Sequence, residues 1–137
     1  NYLKLVVVSD PSGPLVQFLE ERNGMMQQQV VTGTISVAGP VQLRMRADPV
    51  ANTVTAYYGL NGGPLQEFKT LTVPAALFNG GGAPIDPAIG TRVFGGIFAT
   101  DRFLQGTALF QFDYFSLTAE GTQPTFRSYL PMISLGM

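Results

Sequence analysis

The chain has 137 residues and a net charge of −1, so it suits a single domain and offers no field that would attract a nucleic acid. It has no cysteine and no histidine, which excludes disulfides, thiolate chemistry and the most common general base. Charged residues make up only 12% of the sequence, where about 25% is usual, and a surface with so few charges favours contacts with partner molecules.

The N-terminal part of the chain predicts β-strands separated by turn residues. Apolar residues that alternate or follow one another indicate strands at residues 2–8 and 14–21. After an Asn-Gly turn signal, residues 27–32 and 33–37 continue as one long strand or two short ones. Because the first strand begins at once, we interpret the first residue as the cut end of a longer precursor.

The centre of the chain predicts three neighbouring strands that share one buried face. In residues 41–47 apolar side chains alternate with Gln and Arg, so a strand would bury one row and expose the other. The row predicted to be buried contains Val41, Leu43, Met45 and Ala47. Residues 53–58 form the next strand, and an Asn-Gly-Gly hairpin turn leads into an extended segment at 64–73.

The C-terminal part begins with a long irregular loop at residues 74–90, in which a helical turn is predicted at 75–78. An apolar strand at 91–100 and a strong strand at 107–118 follow, and the chain ends in an apolar tail at 125–137. Many short strands at close spacing predict an all-β antiparallel sandwich with minimal helix, rather than a parallel α/β sheet.

The chain is divided by its composition into a β-sandwich domain at residues 1–119 and a linker with an apolar C-terminal tail at 120–137. Six segments of this chain match a known strand order: 1–5, 16–19, 41–46, 52–63, 96–99 and 112–117. In this order they resemble the C-terminal portion of the concanavalin A-like and laminin G-like β-sandwich superfamily, in particular bacterial extracellular modules. The resemblance implies a jelly-roll topology and a secreted or cell-surface location.

Two departures from the family pattern bear on assembly. Members usually have further strands before the equivalent of Asn1 and Tyr2, and an aromatic residue where this chain has Pro64. The sandwich is therefore expected to lack N-terminal strands. Another protein chain, a second subunit of a homo-oligomer or an N-terminal fragment of the same precursor would supply them by strand addition. The tail at 126–137 is a candidate donor, and packing of that tail on its own sandwich is the alternative.

The acidic residues of the chain do not form a catalytic pattern. Hydrolases of the superfamily use a closely spaced Glu-x-Asp-x-x-Glu run, which this sequence lacks, and a glycosidase needs two carboxylates about 5–10 Å apart. Glu20 and Glu21 are adjacent, so a strand would point them to opposite faces. We expect the scattered acids to lie on a solvated surface and the protein not to be an enzyme.

Calcium is the cofactor that the resemblance implies, because laminin G-like sandwiches often hold it with Asp side chains and backbone carbonyls on a rim. Four Asp residues lie in predicted turns or loops, where carbonyl oxygens are also available: Asp10, Asp48, Asp86 and Asp101. Three of them precede Pro, a pattern that turn formation also explains. The sequence leaves both interpretations open.

Carbohydrate recognition uses aromatic faces and a few polar groups. The predicted ligand-binding set contains Tyr57, Phe103, Tyr114, Gln17, Arg44 and Arg46. Tyr58 is four residues after Val54, so a strand would place both on the same face. We therefore expect Tyr58 in the core and Tyr57 on the outer face. The alternatives are that Tyr57 packs on a neighbouring strand and that the outward Arg side chains serve solubility.

These features predict a non-catalytic extracellular module for recognition or adhesion, which binds carbohydrate or other cell-surface material. The alternative is a structural subunit of a surface layer or extracellular filament that assembles by strand donation. No uninterrupted apolar run approaches the roughly 20 residues of a membrane-spanning helix, so no membrane span is expected. Nucleic acid is not an expected partner.

Overall fold

The computed structural model describes residues 1–78, 95–99 and 111–118. Within these residues the chain forms six strands and one turn of 3₁₀ helix: β1 (Tyr2–Asp10), β2 (Gly13–Arg22), β3 (Met25–Val31), β4 (Val41–Asp48), β5 (Thr53–Leu60), β6 (Gln66–Thr72) and the helical turn Ala75–Leu77. The predicted all-β class, the minimal helix content and the helical turn after Pro74 are confirmed.

The strands form two antiparallel sheets of three, in the orders β1-β2-β3 and β4-β5-β6. Strands that follow each other along the chain are neighbours, so each sheet is a pair of hairpins. Two of the hairpin turns contain an Asn-Gly pair with positive φ at both residues, 53° and 73° at Asn23 and Gly24, and 56° and 76° at Asn61 and Gly62. These are the turn residues that the sequence predicted, and they tolerate this backbone at low cost.

The buried core contains side chains from both sheets. Phe18 of β2 is fully buried and clusters with Val54 and Ala56 of β5. Leu71 and Val73 complete the buried cluster, and partly buried side chains of the first sheet pack around it: Leu3, Leu5 and Val30. The two sheets therefore meet through their apolar faces, because burial of apolar surface is the main favourable term in folding.

Some predicted strands are wrong over the residues that the structure describes. Residues 33–37, 95–99 and 111–118 are not in strands. The segment after β3 is instead held by Asn61, whose side-chain Oδ1 accepts a hydrogen bond from Ala38 N at 2.8 Å. Its Nδ2 donates to Ser36 O at 3.1 Å. The segment also keeps backbone hydrogen bonds to β2, from Thr32 N to Val16 O at 3.0 Å and from Ile35 N to Pro14 O at 2.8 Å.

The prediction that β4 shares the buried face of its neighbours is also wrong. Leu43 and Met45 are 40% and 47% exposed, and Ala47 is exposed as well. Alternation in the sequence specifies which side chains share a face, but it does not specify whether a second layer covers that face.

The chain forms two compact units, Asn1–Val93 and Phe94–Met137. Both sheets and the core belong to the first unit. The predicted linker at 120–124 and the tail at 125–137 lie outside the described residues.

Candidate functional site

The core-side row of β4 is the most exposed apolar surface of the second sheet, and the described residues place no strand beside the outer edge of β4. β4 pairs with β5 in a regular antiparallel register, in which Leu43 lies opposite Tyr58 and Met45 lies opposite Ala56. Directly opposite residues of an antiparallel pair point to the same side of the sheet. Since Ala56 is fully buried in the core, Leu43 and Met45 point to the core side and yet remain exposed.

The first sheet shows a matching exposed position across from β4. β1 lies within contact range of β4. Val7 of β1 is opposite the fully buried Val16 and is itself 38% exposed. The inner faces of both sheets thus expose apolar side chains at the same side of the first unit, and we call Val7, Leu43 and Met45 the open edge.

The opposite side of the two sheets is held by polar contacts. Gln28 of β3 donates from Nε2 to the backbone oxygen of Thr72 in β6 at 2.8 Å. The same Nε2 donates to Oε2 of Glu20 at 2.7 Å. One amide group thus joins the two sheets at the β3 and β6 side, whereas the β1 and β4 side ends in the open edge.

Glu20 is the one fully buried charged side chain among the described residues. Its Oε1 lies 2.9 Å from Nε of Arg22, whose side chain is 38% exposed. Neither atom has a hydrogen-bond partner of suitable geometry, so the contact is a charge pair rather than an aligned hydrogen bond. The expectation that the acids lie on a solvated surface is therefore wrong for Glu20, whereas Asp10, Asp48 and Glu67 are exposed. The burial of Glu20 could have been inferred from the alternation of side chains along β2. Every second residue of this strand lies on one face, and that face contains Val16, Phe18, Glu20 and Arg22.

The outer face of the second sheet carries three of the predicted ligand-binding residues. Arg44 and Tyr57 are opposite each other, and the Arg44 guanidinium lies 5.8 Å from the centroid of the Tyr57 ring. Arg46 is the next outward residue along β4 and lies opposite Thr55. Tyr57 is half-buried, because the neighbouring Arg44 packs over its ring. Arg44 thus packs on the Tyr57 ring, and ligand binding at Tyr57 stays a prediction.

Tyr58 lies on the other face, as its parity predicted. Its ring packs edge to face on Phe68, with centroids 5.6 Å apart and planes at 90°. Phe68 in turn packs against the buried core. The rings of Tyr57 and Tyr58 thus lie on opposite faces of the second sheet.

Gln17, which lies in the first sheet, does not join this group of residues on the second sheet. Gln17 lies opposite Val6 and Val31 on the outer face of the first sheet, which points away from the core. Tyr114 is 82% exposed in the segment 111–118 of the second unit. Phe103 lies outside the described residues.

Two of the four predicted calcium ligands act in separate turns. Asp10 Oδ1 accepts hydrogen bonds from Ser12 N at 2.7 Å and Ser12 Oγ at 2.6 Å, and these bonds hold the pKa of the Asp10 carboxyl below its ordinary value. Asp48 Oδ1 accepts from Val50 N and Ala51 N at 3.0 and 2.9 Å. These bonds show the turn role that the sequence left open.

No site with several metal ligands is present in the described part of the chain. Within residues 1–78, 95–99 and 111–118, no three His, Cys, Asp or Glu side chains come together in a way that would hold a metal ion. Asp86 and Asp101 lie outside these residues, and calcium binding stays a prediction for all four Asp residues.

No protein-family model, curated protein or solved structure matches this chain. The resemblance to the concanavalin A-like and laminin G-like superfamily, with its jelly-roll topology, therefore stays a prediction. Among the described residues, no helix has the length and apolar character needed to cross a membrane.

Proposed function

We propose that this chain is a non-catalytic extracellular module for recognition or adhesion, and that it joins another protein chain by strand addition at the open edge. The observation that carries the proposal is the row of Leu43 and Met45, which points to the core side and remains exposed. An added strand next to β4 would gain backbone hydrogen bonds at the edge beside which the described residues place no strand. Its alternate side chains would cover the apolar row.

The charges of β4 favour a particular kind of partner strand. Arg44 and Arg46 lie on the outward row, between the positions that point to the core side. Side chains of an added strand on that row would lie directly beside the two guanidinium groups. Acidic residues there would form cross-strand charge pairs, each worth about 0.2–1 kcal/mol. The favoured partner is therefore an extended segment in which apolar and acidic residues alternate.

The outward row of β4 also contains Asp48, which follows Arg46 on the same face of the strand. A second copy of β4 that paired antiparallel about Met45 would set Arg44 opposite Arg46, whereas pairing about Ala47 would set Arg46 opposite Asp48. Like charges directly opposite each other destabilise a strand pair and opposite charges stabilise it, so the charges select the register of a second copy and do not exclude one.

The test uses the purified chain and two short synthetic peptides, one alternating valine with glutamate and one alternating valine with lysine. Binding is measured by isothermal titration calorimetry, and its location by amide shifts in NMR spectra. The glutamate peptide should bind and shift the amides of β4, and the lysine peptide should bind about tenfold more weakly or not at all. Binding of neither peptide, or shifts confined to other strands, would refute the proposal.

A matched pair of substitutions separates the open edge from a general effect of charge. Met45→Asp places a carboxylate in the apolar row and should abolish peptide binding. Val50→Asp adds the same charge at a side chain that is 93% exposed, and it should leave binding unchanged. Equal affinities of the two variants would count against an apolar contact at Met45.

Carbohydrate binding on the outer face of the second sheet is the second candidate function. The observation that favours it is the half-buried Tyr57 ring with Arg44 fixed beside it, since aromatic rings with nearby donors suit sugars. A glycan array identifies any ligand, and Tyr57→Ala should remove that binding without affecting the peptide. Because Tyr57 and Met45 lie on opposite faces, their variants distinguish the two functions.

A further inference from the structure

β3 is an edge strand of the first sheet with an unusual composition. It pairs with β2 on one side, and the described residues place no strand on its other side. Its sequence over Met25–Val31 contains no charged residue. Each of the other three edge strands does carry charges: Lys4 and Asp10 in β1, Arg44, Arg46 and Asp48 in β4, and Glu67 and Lys69 in β6. Charged side chains protect an edge from pairing with another chain, and β3 lacks that protection.

The outward side chains of β3 are exposed and largely apolar. Met26 lies opposite Glu21 and Val31 lies opposite Gln17, which places both on the outer face of the sheet. They are 58% and 46% exposed, and Met25 at the start of the strand is 65% exposed. A strand that adds to β3 would cover part of this surface.

The inward contacts of β3 hold the strand in place. Val30 packs against the buried core, and Gln28 bonds to both Glu20 and Thr72. Gln27 has no partner in β2, since Glu20 pairs with Gln28 and Glu21 with Met26, so a β-bulge lies at this point. The regular part of the edge that remains for pairing is residues 28–31.

We propose that β3 is a self-association surface, at which β3 of a second copy pairs antiparallel and joins two three-stranded sheets into one of six strands. A second copy fits because an uncharged strand meets no like charge when it faces itself. A twofold axis at Gln29 sets Gln29 of each copy opposite that of the other and places Gln28 opposite Val30. Uncharged segments with this β-propensity are the type that pairs between chains.

The short regular segment makes this a weak interface. Pairing about Gln29 joins three regular residues a side, Gln28 to Val30, which is far below the roughly 1,200–2,000 Å² of a stable complex, so association depends on concentration. This inference does not rest on strand addition at the open edge, because the two surfaces belong to different sheets. Each can fail without the other.

The test is sedimentation velocity of the full chain over a wide concentration range. The native chain should shift from monomer to dimer, and Gln29→Lys should raise the dissociation constant about tenfold or more. Gln29→Glu should do the same, because it also sets two like charges opposite each other. An equimolar mixture of the two variants should restore association, since the pair is then of opposite charge. Val50→Lys, at a 93% exposed position, is the control and should associate as the native chain does.

Three outcomes would overturn the proposal. A native chain that stays monomeric throughout the range shows that β3 does not self-associate. A Gln29→Lys variant that associates as strongly as the native chain places the contact elsewhere. A dimer lost in Met45→Asp but retained in Gln29→Lys assigns self-association to the open edge. Far-ultraviolet circular dichroism of every variant confirms that loss of the dimer is not loss of the fold.

Discussion

The charge pair between Arg22 and Glu20 predicts an asymmetry in stability. Arg22→Met keeps the apolar part of the side chain and removes its positive charge. The fully buried Glu20 carboxylate then loses its charge partner and keeps only the hydrogen bond from the Gln28 amide. Removal of one partner of a buried ion pair costs about 3–5 kcal/mol. The Arg22 side chain is 38% exposed, and because water screens part of the pair we expect a loss of about 2–4 kcal/mol.

The reverse substitution, Glu20→Gln, should cost less. The new amide oxygen still accepts from Gln28, and the partly exposed Arg22 side chain reaches water. We expect a loss of about 1 kcal/mol from the missing charge. The double variant should be about as stable as Glu20→Gln alone, which gives a coupling energy of about 2–4 kcal/mol between the two positions.

Urea unfolding, followed by far-ultraviolet circular dichroism, measures these free energies by linear extrapolation. Lys69→Met is the control, because it removes a positive charge from an exposed position of β6 and should change stability by less than about 0.5 kcal/mol. The reasoning fails if Arg22→Met lowers the free energy of unfolding by no more than Lys69→Met does. It also fails if the two single substitutions at positions 20 and 22 are additive.

Three further predictions concern the core and the turns. Phe18→Ala should lower the free energy of unfolding by about 3–5 kcal/mol in the same urea assay, because Phe18 is fully buried. The control Val50→Ala, at an exposed position, should change that free energy by less than about 0.5 kcal/mol. Asn61→Gly should lower the free energy of unfolding by about 1–2 kcal/mol, because it removes the side-chain hydrogen bonds to the segment after β3. Asn61→Ala should lower it by about 1 kcal/mol more, because alanine is strained at the φ of 56° that this position adopts. Equal losses in the two variants would contradict the contribution of backbone strain. The Asp10 pKa is lowered on folding, chiefly by the Ser12 hydroxyl, so its contribution is present above the unfolded pKa and is lost as pH falls through the folded pKa. Asp10→Asn should therefore lower the urea midpoint at neutral pH and match the native chain in strong acid, and a difference that persists in acid would contradict this.

Several features could be predicted because they depend on neighbouring residues alone. The turns at Asn23 and Asn61 follow from Asn-Gly pairs that adopt positive φ at low cost. The opposite directions of Tyr57 and Tyr58 follow from the alternation of side chains along a strand. These are short-range properties, and they hold in any fold that keeps the strand.

The open edge and the buried Glu20 could not be predicted in the same way. Leu43 and Met45 alternate as core residues do, but their exposure depends on how far the other sheet extends over β4. The carboxylate of Glu20 is buried because Arg22 and Gln28 supply partners, and Gln28 comes from another strand. The segment 111–118 has the alternation of a strand but is not in one, and alternation by itself does not specify backbone pairing with a distant segment.

The sequence by itself determined the β class, the places where the backbone turns and the side of each strand on which a given residue lies, because these follow from local φ preferences and a two-residue repeat. Only the tertiary structure decided which faces are covered, which charge is buried and which edges remain free. Those outcomes depend on contacts between residues far apart in the chain, such as Phe18 with Val54 and Gln28 with Thr72. The same apolar alternation therefore forms core in β5 and an exposed edge in β4.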